Sequence, residues 1–388
     1  MNSLEPDKPV RPAKIAIAHD YLNQRGGAER VVLEMAEIWP DAPIYTSLYR
    51  PDSTFPEFRS HDIRCSFLDR LPVDRRFRAL LPLFPVAFSR FGALDADVVL
   101  SSSSGWAHMV RSTPASFHVV YCYTPARWLW GEEYLGTSSV KQAAFRPVRG
   151  ALRALDRSAA RRADLYIAIS ETIRERIRAT YGIDARVVSP PVNVERFTAR
   201  PRGERLLVVS RLLKYKRVEI AVAAATRLGI DLDVVGVGPA LGELRSISGP
   251  TVAFHGKLDD ADVVDLMESC RALCFPGTED FGITPVEAQA AGKPVVAFAA
   301  GGALETVVDG FSGTFFDRPT VESFIAALER CDRIETAPAD IARAAARFAP
   351  AVFRAALAAE IDRGRKERAC QRGPSRGFDY FSATTSTR

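Results

Sequence analysis

Two glutamates eight positions apart, Glu279 and Glu287, bracket a stretch able to hold an anion. It reads Phe275-Pro-Gly-Thr-Glu279-Asp-Phe281-Gly282-Ile283-Thr-Pro285-Val-Glu287-Ala-Gln-Ala-Ala-Gly292-Lys-Pro294. An apolar run ends in a loop, and Gly282-Ile283-Thr-Pro285 opens a helix. The free N–H groups of a helix start, with the dipole behind them, suit a diphosphate. Glycine at 282 lets the backbone approach a ligand closely, and Pro285 fits the first helical turn. Glu279 lies in the loop and Glu287 a turn into the helix, so both can face one pocket. Taken alone, the pattern also describes an ordinary capped helix with two exposed glutamates.

A second segment supplies the cations: Leu207-Val-Val-Ser-Arg211-Leu-Leu-Lys214-Tyr-Lys216-Arg217. Arg211 and Lys216 follow a strand end, where they can reach a phosphate in a cleft. Arginine offers a bidentate fork and lysine a mobile point charge. Four basic residues in seven positions also describe a solvated loop. Two Asp-x-Asp pairs, Asp95-Ala-Asp97 and Asp231-Leu-Asp233, spell a metal-binding pattern but stand at strand starts, which favours edge and turn roles. No metal and no resident cofactor are expected. Gly236-Val-Gly238 with Gly242 departs from a dinucleotide fingerprint, because the third glycine comes one residue late. The six cysteines form no C-x-x-C pair, which suits reduced thiols and a cytoplasmic location.

Positioning these residues requires parallel sheets. Short β-rich runs alternate with helical patterns throughout, the signature of an α/β fold with helices on both sheet faces. Strands are expected at Lys14–His19, Asp97–Leu100, His118–Cys122 and Leu165–Ile169. After a break around Pro190-Pro191 they restart at Arg205–Ser210, Leu232–Val235, Val252–His255, Ala272–Phe275, Pro294–Ala297 and Gly313–Phe316. The expected division is a first Rossmann-like domain over 1–186, a linker over 187–198 and a second domain over 199–345. A terminal helix over 346–363 should pack back on the first domain, and the polar tail over 364–388 should be disordered. Ligands then bind between the strand carboxyl ends of the two domains.

The ordered motifs resemble a known family. Gly26-Gly27-Ala-Glu-Arg30, Ser210-Arg211-Leu-Leu-Lys-Tyr-Lys216-Arg217, Val235-Gly-Val-Gly-Pro239, the Glu279–Gly292 stretch and Gly301-Gly-Ala-Leu-Glu-Thr-Val307 are similar to those of retaining GT-B glycosyltransferases. The wording resembles most the bacterial GDP-mannose-dependent branch of polysaccharide assembly. The resemblance implies that Arg211 and Lys216 neutralise the donor diphosphate and that Glu287 bonds the ribose. It implies that Glu279 lies near the transferred sugar, and that the backbone of Phe281, Gly282 and Ile283 meets phosphate or sugar. Gly26 and Gly27 match the turn that closes on the donor and shapes the acceptor side, where Arg127 also falls. Tyr123 departs from the family: it stands where a histidine usually contacts sugar or acceptor. A phenol can hydrogen-bond a hydroxyl but carries no positive charge near pH 7.

The expected activity is transfer of a hexose, mannose from GDP-mannose, to a hydroxyl of a glycan or lipid-linked acceptor. The alternatives are a non-catalytic sugar-nucleotide-binding or partner-binding relative and a GT-B phosphorylase. A formal net charge of +5 on 388 residues gives no argument for nucleic acid. The N-terminal run, with Glu5, Asp7 and several prolines, does not read as a signal peptide, and Ala79–Phe88 is too short to span a bilayer. Arg146, Arg149, Arg153, Arg157 and Arg161 recur at helical spacing, and Arg75, Arg76 and Arg78 precede the oily run. Both suit either solvated faces or peripheral contact with an anionic membrane surface.

Overall fold

The run Ile15–His19 is buried along its whole length, which a strand achieves with helices covering both faces of a parallel sheet. In the computed structural model, which describes residues 13–71, 82–131 and 139–372, it lies inside a seven-stranded sheet. Across that sheet the order is Ile63–Cys65, Ile44–Thr46, Ile15–His19, Val98–Ser103, Phe117–Cys122, Leu165–Ala168 and Arg186–Val187. Every pairing is parallel. A second parallel sheet runs Val252–Gly256, Leu232–Val235, Leu206–Val209, Ala272–Phe275, Val295–Phe298 and Gly313–Phe316. In each sheet the winding reverses beside the first strand, and a crevice opens at that switch point outside the strand carboxyl ends. The residues after His19, Ser103, Val209 and Phe275 therefore converge on the interdomain cleft.

All six second-domain strands fall where the sequence places them. The strands Ile44–Thr46, Ile63–Cys65 and Arg186–Val187 were not anticipated. Each has only two or three residues at or near a sheet edge, too few to show an alternating pattern.

Leaving the first domain, the chain forms a single 3-10 turn at Val194–Arg196 and enters the second. It comes back through a helix at Pro338–Ala345, a turn at Ala346–Phe348 and the helix Pro350–Arg372. Phe353, Leu357 and Ile361 of that last helix are buried in a hydrophobic cluster shared with Val120, Tyr121, Phe275 and Val286, so one core joins both domains and the return helix. The expectation of disorder from Gly364 is corrected: the helix continues through Arg372. The physical reason is anchoring to the first domain. Gly364 sits so close to Phe117 that a β-carbon there would come within 2.8 Å of the ring. Arg368 pairs with Asp164 at 3.0 Å and donates to the Pro114 carbonyl at 2.9 Å. Residues 373–388, and the basic residues Arg75, Arg76 and Arg78, lie outside the described residues.

Candidate functional site

Lys216 closes a one-turn 3-10 helix, Lys214–Lys216, just after the strand Leu206–Val209. It is only 7% exposed, and its ammonium forms an ion pair with the Glu279 carboxylate. Burial, then the charges of Arg211 and Arg127, push its pKa down to about 8; Asp280 opposes the fall. Arg211 is exposed at the cleft. Gly236 and Gly238 explain how its loop is placed: β-carbons there would lie 1.8 Å from the Ser210 carbonyl oxygen and 2.2 Å from that of Leu212. Any side chain at either position would drive the Arg211 segment out of the cleft. The glycine turn thus shapes this wall of the cleft through contact with backbone.

The loop after Ala272–Phe275 reaches Gly282, whose φ of 89° is the left-handed region that favours glycine. The helix Ile283–Ala290 then begins with no side-chain cap, leaving its first amides available to an anion. Phe281 is buried edge-on against Phe348 at 5.5 Å, so its side chain is core and only its backbone can meet a ligand. The two glutamates that the sequence directs toward one pocket are held by different cations. Glu279 takes Lys216, whereas Glu287 accepts from Arg196 Nη2 at 2.9 Å. Burial raises the Glu287 pKa, and Arg196 and Arg30 pull it back.

On the opposite wall, Gly26 caps the helix Gly27–Ile38. A β-carbon on Gly27 would come 2.9 Å from Ile283 Cδ1, so the two domains touch across the cleft at this turn. Glu29, buried, folds back over Gly26 and accepts from Gln24 Nε2 at 3.0 Å. Burial raises its pKa, opposed first by His19 and then by nearby backbone amides. Tyr123 is also buried. Its hydroxyl donates to the Ala28 carbonyl at 3.1 Å and lies 2.9 Å from Ser102 Oγ, which is 3.0 Å from His19 Nδ1. With the phenolic proton on the Ala28 carbonyl, Ser102 donates to Tyr123 and His19 donates to Ser102. In this structure the phenol pins the Gly26–Gly27 turn; it does not reach into the cleft. His118 is buried beside Ser101 Oγ at 2.9 Å, and burial lowers its pKa to about 3.

Arg127 heads the short helix Arg127–Trp130 and pairs with Asp280 from the second domain. Arg176 approaches the other Asp280 oxygen at 2.9 Å, and Ser170 Oγ donates to the Asp280 carbonyl at 2.6 Å. A second carboxylate, Glu305, accepts from the amides of Glu171 and Thr172 at 2.8 and 3.2 Å. Two second-domain acids therefore grip the start of the first-domain helix Glu171–Tyr181. Sequence reasoning missed both as site residues. Their signal was present: each is an acid embedded in a glycine-bearing motif beside residues already singled out.

Three arginines of the stripe, Arg149, Arg153 and Arg157, make contacts within the protein; Arg161 is exposed, and the Arg146 side chain lies outside the described residues. Arg149 and Arg153 donate to the Leu129 carbonyl at 2.8 and 3.0 Å. Arg153 and Arg157 lie over the Trp130 ring at 4.8 and 4.6 Å. Trp130 Nε1 in turn donates to the buried Asp156 at 2.7 Å. This scaffold fixes the short helix that carries Arg127. The Asp-x-Asp pairs hold strand edges: Asp95 and Asp97 bind Lys14, and Asp231 and Asp233 bind Arg205.

Comparison with known proteins agrees with this geometry. Residues 25–196 match the model of Glycosyltransferase Family 4, and residues 193–348 match that of Glycosyl transferases group 1. The chain is 26% identical to the human alpha-1,3/1,6-mannosyltransferase ALG2, over 84% of this chain and 91% of the relative. It is 31% identical to D-inositol 3-phosphate glycosyltransferase of Mycobacterium marinum, over 38% of this chain and about a third of the relative (35%). Among solved structures it is similar to Anabaena HepE in complex with UDP, with a TM-score of 0.69 and 19% identity over 90% of this chain and all of that one. It is also similar to sucrose-phosphate synthase from Thermosynechococcus elongatus, with a TM-score of 0.69 and 18% identity over 92% of this chain and 100% of that one. The two family matches adjoin at the linker and meet the two sheets described above; the chain belongs to the glycosyltransferases of the two-domain GT-B fold.

Proposed function

We propose that the protein is a retaining glycosyltransferase that moves a hexose, mannose from GDP-mannose, to a hydroxyl of a glycan or lipid-linked acceptor. The observation that carries the reading is the convergence of Lys216, Arg211 and the uncapped start of Ile283–Ala290 on one cleft. A departing diphosphate gathers negative charge, and preorganised cations with oriented amides stabilise it where water is excluded. Leaving-group stabilisation, more than a strong base, is what substitution on the diphosphate's own face requires.

In this reading Arg211 and Lys216 neutralise the diphosphate, and Lys216 exchanges its Glu279 contact for phosphate oxygens. Glu279 then faces the transferred sugar, and Glu287 accepts from the ribose hydroxyls. Gly26, Gly27 and Arg127 bound the acceptor side. The choice of mannose follows the human mannosyltransferase relative. The protein needs no metal for this chemistry. A lipid-linked acceptor would bring the first domain to an anionic membrane surface from the cytoplasmic side, with the exposed Leu83 and Val86 beside Arg90. No sedimentation with anionic liposomes at low salt would remove that part of the reading.

Calorimetric titration of GDP, UDP and ADP, followed by donor turnover, tests the proposal. GDP binding with turnover of GDP-mannose, both lost in Lys216→Ala, is expected. Preference for UDP would keep the transferase and change the donor. Absence of binding by all three would withdraw the reading in favour of a phosphate-using or non-catalytic protein.

A further inference from the structure

The second glutamate of the donor loop is held from outside its own domain. Glu287 belongs to Ile283–Ala290, yet its hydrogen-bond partner, Arg196, ends the 3-10 turn of the interdomain linker. The Arg196 guanidinium is itself constrained. It lies over the Phe197 ring at 4.6 Å, and its Nη1 stands 3.9 Å from Asp260. Arg196 Nε is buried and bonds to none of the described residues, so the group is committed to this corner and is not free to sweep through solvent. Arg30, on the first-domain helix Gly27–Ile38, adds a further positive charge near the same carboxylate. One acid thus feels the second domain through its helix, the linker through Arg196 and the first domain through Arg30.

The bond engages Oε1; none of the described residues donates to Oε2. A carboxylate fixed at one oxygen presents the other in a defined direction, and it is a strong acceptor for hydroxyl groups. Vicinal hydroxyls on a ribose, reached from a diphosphate seated at the start of the same helix, are the chemistry that such an oxygen recognises. We infer that Arg196 is a positioning residue for the nucleotide's ribose, holding one oxygen of Glu287 from the linker so that the other meets the ribose hydroxyls. This rests on the nucleotide-sugar reading above.

The test pairs a change in the protein with a change in the ligand. GDP and 2′,3′-dideoxy-GDP, or the same pair with whichever base binds, are titrated into wild type, Arg196→Gln, Arg196→Lys and Glu287→Gln. Wild type should prefer the ribonucleotide by roughly ten- to a hundredfold, since unpaired buried acceptors reject an analogue lacking their hydroxyls. Arg196→Gln should shrink that preference at least about fivefold while changing dideoxynucleotide affinity less than about twofold, and Arg196→Lys should recover part of it. Equal weakening of both nucleotides by Arg196→Gln would show a merely structural role and overturn the inference, as would an unchanged preference. If wild type binds no nucleotide, the donor reading itself fails and this inference falls with it. If it binds both forms equally, the donor site stands and the ribose assignment alone is lost.

Discussion

Replacing Glu305 with alanine removes the acceptor that second-domain residues offer to the amides of Glu171 and Thr172. Those amides open an 11-residue helix of the first domain, so the side chain acts across the cleft as a helix cap supplied by the other domain. Loss of such a cap costs about 0.5–2 kcal/mol, and loss of a negative charge at a helix start adds about 0.3–1 kcal/mol. Solvent at this exposed end returns part of that, leaving about 1–2 kcal/mol for local opening. At about 1.4 kcal/mol per decade, exchange of the Glu171 and Thr172 amides should quicken roughly 5- to 30-fold. Residue-resolved hydrogen exchange reads this directly and contains its own controls. The Ile173 amide is bonded to Ser170 Oγ within the first domain at 3.2 Å and should change little. Val120, at the centre of the first sheet, should report only global unfolding. Glu305→Gln, which keeps an acceptor and loses the charge, should fall between wild type and alanine. Unchanged exchange at Glu171 and Thr172 in a folded Glu305→Ala protein would refute the reasoning, because the domains would then not be latched in solution. Equal acceleration at Val120 would equally refute it by showing a global effect.

Other consequences follow from the same geometry. Lys216, with its pKa lowered to about 8, is charged below that pH and neutral above it; nucleoside diphosphate affinity should be level to pH 8 and then fall by up to about tenfold per unit. Lys216→Arg should shift the fall out of range, and affinity constant from pH 7 to 10 in wild type would contradict the assignment. Gly27→Ala places a methyl 2.9 Å from Ile283 Cδ1 and should cost about 1–3 kcal/mol of interdomain packing. Donor turnover should drop about tenfold or more with a small change in melting temperature, while a fully active variant would show that the cleft has room there. Tyr123→Phe leaves the Ala28 carbonyl and Ser102 without their buried partner, a loss of about 1–3 kcal/mol in urea unfolding. Lost turnover with unchanged stability would instead place the phenol on the substrate.

Much of this arrangement was legible because the chain states it locally. The six strands of the second domain are short, mostly apolar runs, three of them ended by Gly236, Gly256 and Pro276, and several cleft residues of this domain lie in the loops that follow. Arg211, Lys216 and Gly282 could be placed from that alone. Pairings across the domain boundary could not. Glu287 and Arg196 are 91 positions apart and Arg127 and Asp280 are 153 apart, and no periodicity links such partners. The arginines at 149, 153 and 157 mislead for a related reason: helical spacing shows that they share a face but not what the face meets. Here it meets Leu129 and Trp130. Tyr123 shows the same limit, since its residue type suits a sugar contact while its neighbours use it to hold a turn.

The loop Glu279-Asp280-Phe281 shows why these boundary pairings matter to function. Glu279 pairs with Lys216, Asp280 crosses to Arg127 and Arg176, and Phe281 anchors the backbone against Phe348. Successive side chains in an extended loop diverge, so three neighbours can serve donor, opposite domain and core at once. Four cations (Arg211, Lys216, Arg127 and Arg176) share this region with two acids, Glu279 and Asp280. An arriving diphosphate can take over Lys216 from Glu279 without disturbing Asp280, because the two acids address different cations. In the proposed reading, donor binding and the interdomain contact then remain separate, joined by one short backbone segment. A rigid displacement of that segment on donor binding would strain the Asp280 contacts, whereas a side-chain exchange at Lys216 would not. The geometry favours the exchange: Phe281 is fixed in the core, and the Gly302 amide holds the Glu279 carbonyl at 2.8 Å.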